Sequence, residues 1–553
     1  MSNNKSTGLF ASGKPYLVPV LFIVMLLVAL LYLGLGTDNY NGDGLGYANQ
    51  VETASSAKLW SYSARLLYCP TGRLLDNALG LFGIHVRAVY ILQVFNSVMG
   101  FLGVGVFLLA IFRLTRSIKL AALAALGLAF TFNFWFWNIN VTSYPGNVFF
   151  LLCCFFMLVT ILDTTDRNRI FLYSAVTGLF HALACFYWLT AMLLAPSIAL
   201  GIMIIISGFD FKKRLAAGII YGVSFMVFLF VPLLIAAAYS SDVANFSEFR
   251  TWLFSASHGI PPRLTVGNFL RGIIGFTSSV FRMTELGPYI KNVLFGVPFV
   301  LKSAALLIAE IAAFVLLWVI LAFDAFSLFL KRRELAEKDI RLLITFGLWA
   351  LPPVIFGLIW LGSDTERWLA VMPVLWMFLL LPAWLSIRSS GFPRKKIIGH
   401  VFHALVVILF CYNLVVAVIP DHDPEQNYYM KTAEALNEHM TDKDLAIIWG
   451  YDNTFTGADL TYFFRKDCIH LGMFGDTYKQ NMESKLVEKI DEVFARGGRV
   501  YINGRLFLDK DLPESRYSDD EHVVPLAKLK QALNHWQRRE AFTYKQDTYW
   551  ELY

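Results

Sequence analysis

Eleven runs of roughly 20 apolar residues constrain this chain more than any other feature, because that is the length at which a helix crosses a bilayer. They lie near 16–36, 88–112, 120–137, 144–162, 170–187, 190–208, 215–238, 303–329, 342–362, 368–387 and 399–419. In hydrocarbon each segment must satisfy its own backbone N–H and C=O groups, so the runs read as helices and not as open sheet. The first run is too long for a signal-peptide core, and no small-x-small cleavage site follows it, so it too reads as a span. Composition agrees. Of 553 residues 57% are apolar and 16% charged, where soluble domains carry about 45–50% and about 25%. An ordinary soluble enzyme, a disordered chain and a fibrous repeat are excluded.

The net charge of +6 conceals a division. Residues 1–420 hold 30 Lys and Arg against 17 Asp and Glu, whereas 421–553 hold 17 against 24. The basic residues of the membrane body also set its orientation. With the N-terminus inside, the inside set is Lys5, Lys14, Arg113, Arg116, Lys119, Arg167, Arg169, Lys212, Lys213, Arg214, the cluster Lys331 to Arg341, and Arg388, Arg394, Lys395 and Lys396. That is 19 of the 30. Ten face outside, nine of them in two long segments, 37–87 and 239–292; Arg367 alone lies in a short exterior turn. An odd number of spans puts the C-terminus outside. The expected product is a mainly α, polytopic inner-membrane protein of about 11 transmembrane helices. Its membrane body is 1–420, its N-terminus is cytoplasmic, and 421–553 form a periplasmic or exterior domain.

The two long exterior segments mix Trp, Tyr, Phe and Leu with Arg and Lys, as amphipathic interfacial helices do; plain surface loops are the alternative. In 421–553, β-like runs (Leu445–Trp449, Val500–Ile502, Tyr549–Leu552) alternate with helix-like stretches (Tyr428–His439, Lys485–Arg496), which predicts a small α/β domain. Gly497-Gly498 reads as a turn, not a nucleotide fingerprint. Cys69 and Cys468 both fall on the exterior side, so a disulfide between them is open. No Cys/His spacing resembles a zinc site.

Chemistry concentrates at two exits. After the first span the chain reads Thr37-Asp38-Asn39-Tyr40-Asn41-Gly42-Asp43-Gly44-Leu45-Gly46-Tyr47-Ala48. Gly42 and Gly44 would let the backbone turn sharply and leave Asp43 open to a substrate; alternatively Asp43 only caps a helix starting near Tyr47. Before the tenth span the chain reads Ser363-Asp364-Thr365-Glu366-Arg367-Trp368, with Pro373 beyond. Arg367 stands there against the charge bias, as a phosphate ligand would, or as a snorkelling anchor.

Together these stretches resemble the GT-C glycosyltransferases that use polyprenyl-phosphate sugars, a superfamily that includes protein O-mannosyltransferases and bacterial aminoarabinose transferases. Its members share a catalytic Asp just after the first span, commonly followed four and five residues later by Tyr-Ala; Asp43, Tyr47 and Ala48 match. The segment Tyr68-Cys69-Pro70-Thr71-Gly72-Arg73 is loosely similar to a region where members carry a basic residue beside prolines. Arg367-Trp368 with Pro373 is similar to an Arg-aromatic turn of the family. The resemblance implies transfer of a sugar from a polyprenyl-phosphate donor to a hydroxyl of a lipid, glycan or protein, with inversion, in contact with membrane lipids and with no nucleic acid.

That reaction needs a carboxylate to take the acceptor proton and cations for the departing phosphate, preferably Arg. Asp43 is the candidate base. Arg367, Arg271 and Arg282 are candidates for the phosphate; the last two would share a face of an unbroken helix, being eleven residues apart. Asp38, Tyr47, Arg73, His258 and Glu366 are candidate substrate contacts. The second exterior loop, Asn138 to Asn147, carries no carboxylate, so a divalent metal is left open with only Asp38 and Asp43 to hold it. Asn138 and Asn140 either bond a sugar or end two helices. A transporter or lipid flippase is the alternative class, with Glu310 and Lys302 as the ionisable residues inside a predicted span. A scaffold whose tail is a binding module is the third.

Overall fold

The structure is a computed structural model, and its described residues are 16–240, 243–254, 262–295, 301, 303–330, 335–388, 395–449, 454–471, 482–508, 526–545 and 547–553. Within them, nine helices are long and apolar enough to cross a membrane. A tenth apolar segment is bent by 67° between Ile118–Phe130 and Phe132–Asn138, and an eleventh, Leu189–Ile205, is shorter. All eleven runs are therefore helical, and the protein is a polytopic helical membrane protein. The bend falls at Thr131, whose Oγ1 donates to the Gly127 carbonyl at 2.8 Å and accepts the Trp376 indole N–H at 2.7 Å. A side chain that occupies the helix's own hydrogen-bonding ladder is a recognised cause of a kink.

Helix entries follow local chemistry. Ser117, Asp166 and Asp210 accept backbone N–H groups as N-caps, and Pro145 sits in the first turn of Tyr144–Leu162, where its missing N–H costs nothing. Arg113, Arg116 and Lys338, three members of the inside set, converge on Asp163 at 3.6, 3.3 and 2.5 Å. They tie together the ends of three helices at one face of the bundle. The long exterior segments contain short helices, among them Gly42–Thr53, Tyr68–Leu81, Phe246–Phe254, Val266–Val280 and Leu286–Phe295. Leu74, Leu81 and Phe82 are exposed along and just beyond the second of these, the apolar face of an interfacial helix.

Glu310 is fully buried near the start of Ala304–Leu330. Its carboxylate accepts the backbone N–H groups of Thr284 at 2.6 Å, Glu285 at 2.9 Å and Leu286 at 2.5 Å, together with the Thr284 hydroxyl at 3.0 Å. It thus satisfies the orphan donors that open Leu286–Phe295. That occupation is structural and leaves little for a transport role. Lys302 lies outside the described residues.

The C-terminal region forms a five-stranded sheet in the order β2-β1-β3-β5-β4. Its strands are β1 Leu445–Trp449, β2 Asp467–Leu471, β3 Val500–Asn503, β4 Arg538–Tyr544 and β5 Asp547–Leu552. β1 runs parallel to β2 and β3, while β5 is antiparallel to β3 and β4. β1 and β3 are buried along their whole length, as central strands covered on both faces must be. Two apolar clusters, one per face, are built around Ile447 and Ile502 and around Ala446 and Tyr501. Gly497 has φ +73°, the turn expected there. Cys69 and Cys468 are both free thiols.

Glu310→Ala is expected to lower the melting temperature of the detergent-purified protein. It would strip three backbone N–H groups of their acceptor, each worth about 1–3 kcal/mol when left buried and unpaired. A melting curve identical to wild type would remove Glu310 from this capping role.

Candidate functional site

Asn41, not Asp43, caps the Gly42–Thr53 helix: its Oδ1 accepts the Gly44 N–H at 2.6 Å. Asp43 is thereby released into the first turn, where the helix macrodipole favours a carboxylate. Its side chain is 68% exposed and meets the Arg65 guanidinium at 3.2 Å. The glycines beside it serve proximity and not a sharp turn. A Cβ at Gly44 would collide with the carbonyl oxygen of Val141, and Gly42 faces Phe455 and Ala458 at 3.8 Å.

Arg65 ends the short helix Ser63–Arg65, which Ser63 anchors by donating its hydroxyl to the Trp252 carbonyl at 2.8 Å. Only 11% of its side chain is exposed. The guanidinium lies 5.0 Å from the Tyr47 ring centre, 5.8 Å from Tyr62 and 5.5 Å from Tyr144, and donates to the Tyr144 hydroxyl at 3.3 Å. Rings at that range attract a cation through their quadrupoles. Burial works against the Arg65 charge, yet Tyr144, Asp43 and Glu366 outweigh it and hold the pKa above the ordinary arginine value.

The third part is the turn Thr365–Val371. Trp368 donates its indole N–H to the Gly362 carbonyl and Trp349 donates to that of Ala370, both at 2.9 Å, which fixes the turn from two sides. Its backbone is approached so closely by the Val266–Val280 helix that a Cβ at Gly275 would collide with the Gly362 carbonyl. Glu366 and Arg367 are 13% and 11% exposed and stand 3.8 Å apart. The Arg367 guanidinium packs 4.3 Å from the Trp360 ring and 5.4 Å from that of Trp188, and its Nε is buried with no hydrogen-bond partner. The hydroxyl of Tyr62 senses both ends of the site: burial and Asp43 push its pKa up to about 12, and Arg367 opposes them. Asp43, Arg65, Glu366 and Arg367 therefore share one electrostatic neighbourhood, with Tyr47, Tyr62 and Tyr144 as its aromatic wall.

The remaining sequence candidates are placed elsewhere. Asp38 gives its backbone N–H to the Asp421 carbonyl at 2.9 Å, and burial raises its carboxyl while His422 opposes the rise. Arg73 donates to the carbonyls of Val51 at 2.5 Å and Ala54 at 3.0 Å, closing the C-terminus of the Asp43 helix. Arg271 and Arg282 do not share a helical face, because the helix ends at Val280. Arg282 lies 4.8 Å from the Phe132 ring and acts on Asp421. Arg271 has a buried Nε without a partner, and no contact of the described residues links it to Asp43 or Arg367. His258 is outside the described residues. Asn138 and Asn140 spend their amides on helix-end backbone, at Phe134 and Val141. Among the described residues no group of three His, Cys, Asp or Glu side chains is placed to hold a metal ion. Arg65 and Tyr144 were not singled out by sequence. For Arg65 the available signal was its position among the few exterior basic residues that stand against the charge bias.

Tyr144 opens a helix of 19 residues, about 28 Å long, whose far end adjoins Asp163. The site thus lies roughly one hydrocarbon thickness from the basic face of the bundle.

The fold is that of a polytopic helical membrane protein and is GT-C-like, as the sequence resemblance implied. Two solved structures with this fold are those of ArnT from Cupriavidus metallidurans. The apo form superposes with a TM-score of 0.57 at 13% identity, covering 97% of each chain. The form bound to undecaprenyl phosphate gives 0.55 at 12% identity, again over 97% of each chain. No protein-family model matches the sequence, and no curated protein matches it.

Gly44→Ala is expected to destabilise by about 1–3 kcal/mol, the usual cost of overpacking, because the added methyl meets backbone. Gly46→Ala, two residues on, has open space around it. It is expected to be neutral or stabilising by up to about 1 kcal/mol, since Gly weakens a helix interior. Paired thermal melts of the two variants check this; equal melting temperatures would contradict the close approach.

Proposed function

We propose that this chain transfers a sugar from a polyprenyl-phosphate donor to an acceptor hydroxyl at the exterior face of the inner membrane. The observation that carries the reading is the accessible Asp43 carboxylate held 3.2 Å from the buried Arg65, with Arg367 in the same neighbourhood. A base for the acceptor and cations for the leaving phosphate then meet at one point. The fold supports it, since a protein of that fold has been solved with undecaprenyl phosphate bound.

In this reading Asp43 takes the hydroxyl proton as the acceptor oxygen attacks the anomeric carbon and the bond from that carbon to the phosphate oxygen breaks. A single displacement inverts the centre. Arg65 and Arg367 take the phosphate oxygens, for which a planar guanidinium is suited. The Tyr47, Tyr62 and Tyr144 rings exclude water from the far side of Arg65, so its charge acts at low local dielectric. Charge neutralisation is assigned to these guanidinium groups. The acceptor is a lipid, glycan or protein hydroxyl. The distance between the site and the Asp163 cluster of inside-set residues supports an exterior placement. Residues 1–420 form the catalytic membrane body and 421–553 the exterior domain.

Purified protein in lipid nanodiscs, given a polyprenyl-phosphate sugar and candidate acceptors, is expected to release polyprenyl phosphate in step with sugar transfer. Asp43→Asn should lower the rate by about 10²–10⁴-fold, the range for loss of a general base, while donor binding persists. A fully active Asp43→Asn protein would sink the assignment.

Arg367→Ala should weaken donor binding by about 10–100-fold, as expected for losing a charge-assisted hydrogen bond. Unchanged donor affinity would return Arg367 to the role of an interfacial anchor.

A further inference from the structure

The Asp43 helix is covered along its length by one helix of the C-terminal sheet region, Thr454–Phe464. Gly42 lies against Phe455 and Ala458, and the other end is held by charge. Glu52 accepts the Tyr462 hydroxyl at 2.5 Å and the Ala88 N–H at 3.0 Å, pairs with Arg87 at 3.3 Å and is bound by Arg465. Arg465 also donates to the Asn49 side chain at 3.0 Å. Arg87 closes the ring by donating to the Tyr462 carbonyl at 2.6 Å while its guanidinium stacks 4.2 Å from the Tyr462 ring. Burial opposes the Glu52 charge, but the bonds from Tyr462, Ala88 and Arg465 and the charge of Arg87 hold its carboxyl below the ordinary glutamate range.

A second tether lies just before the helix. The Asp421 carbonyl accepts the Asp38 N–H at 2.9 Å, and Asn427 donates to the Asp38 carbonyl at 2.7 Å. The segment that carries Asp43 is therefore pinned on both sides, at 38 and at 49–52, by residues at the end of the last membrane helix and beyond it. Among the described residues, the Asp43 carboxylate forms its ion pair with Arg65. Its direction is set by the helix it rides on, and the helix by these two tethers.

We infer that the C-terminal region is a brace for the reaction: Tyr462 and Arg465 are positioning residues that hold the Asp43 helix, through Glu52, in the register that sets Asp43 on Arg65. This rests on the transfer reading for its catalytic consequence, but not for the physical contact. A displacement of a reacting group by about 1 Å can cost about 10²-fold in rate, so a loosened helix shows in turnover before it shows in folding.

The test uses the full chain in nanodiscs with Tyr462→Phe, which keeps the ring stacked on Arg87 and removes only the hydroxyl, and with Arg465→Ala. Arg465→Lys serves as the conservative partial rescue. Hydrogen–deuterium exchange of peptides covering 42–53 reads the brace without any activity, and both variants are expected to speed it by about 10-fold relative to wild type. With a polyprenyl-phosphate sugar as donor, kcat is expected to fall by about 10-fold while donor KM and undecaprenyl phosphate binding stay within about twofold. Unchanged exchange in both variants would overturn the proposal, as would faster exchange with unchanged kcat. A wild-type chain that transfers no sugar, while the variants still exchange faster, would overturn the transfer reading and leave the brace standing.

Discussion

The buried guanidinium of Arg65 is the interaction around which one end of this bundle is organised. Removing such a charge from water costs several kcal/mol unless it is partnered. Its partners come from separate parts of the chain: Asp43 from the segment 37–87, Tyr144 from the loop Asn138 to Asn147, and Glu366, through its charge, from the turn before the tenth span. Three aromatic rings supply the remainder. One charge thereby specifies how several helix ends must meet. Gly44 and Gly275 permit the close backbone approaches this needs, at Val141 and Gly362 respectively.

The two ends of the bundle gather charge in different ways. At the opposite face, Asp163 is shared by Arg113, Arg116 and Lys338. Arg116 and Lys338 remain substantially exposed there, while Arg113 and Asp163 are largely buried. At the site end the two arginines are nearly enclosed. The same residue type thus meets two settings, a shared ion-pair cluster at one end and a cation walled by aromatic rings at the other. The net charge of the chain mixes both with an acidic C-terminal region.

Much of the fold was legible because hydropathy reports length directly: every predicted span is helical, and the α/β character of the tail followed from its apolar runs. The missed strands have physical reasons. β4, Arg538–Tyr544, is an edge strand with exposed charged side chains, and β2, Asp467–Leu471, is the other edge, with Asp467 and His470 in a run of only five residues. The placing of Asp43 and Glu366-Arg367 in one neighbourhood agrees with the pairing of the two exits. Arginine identity was not legible. Arg65, Arg73, Arg271 and Arg282 look alike in sequence, and what separates them is where helices stop. The end of one helix at Val280 removes the shared face of Arg271 and Arg282, while the carbonyls of Val51 and Ala54 occupy Arg73. Such capping details depend on tertiary contacts that periodicity does not encode.

The pairing of Asp43 with Arg65 also bears on how the proposed transfer would be coupled. Before reaction the guanidinium is engaged by the carboxylate that serves as base. As Asp43 accepts the hydroxyl proton its charge is lost, and with it most of its hold on Arg65. In the same step the phosphate leaving the sugar gains charge, from about −1 toward about −2 as a monoester. The guanidinium is then freed as the new anion appears beside it, and no charge has to enter the site from water. A base and a phosphate ligand on separate, unconnected side chains would require two reorganisations at low dielectric. Joined through one buried cation they require one, which is the advantage of preorganised electrostatics. On that account Arg65 is buried so that its partner can change while its surroundings do not.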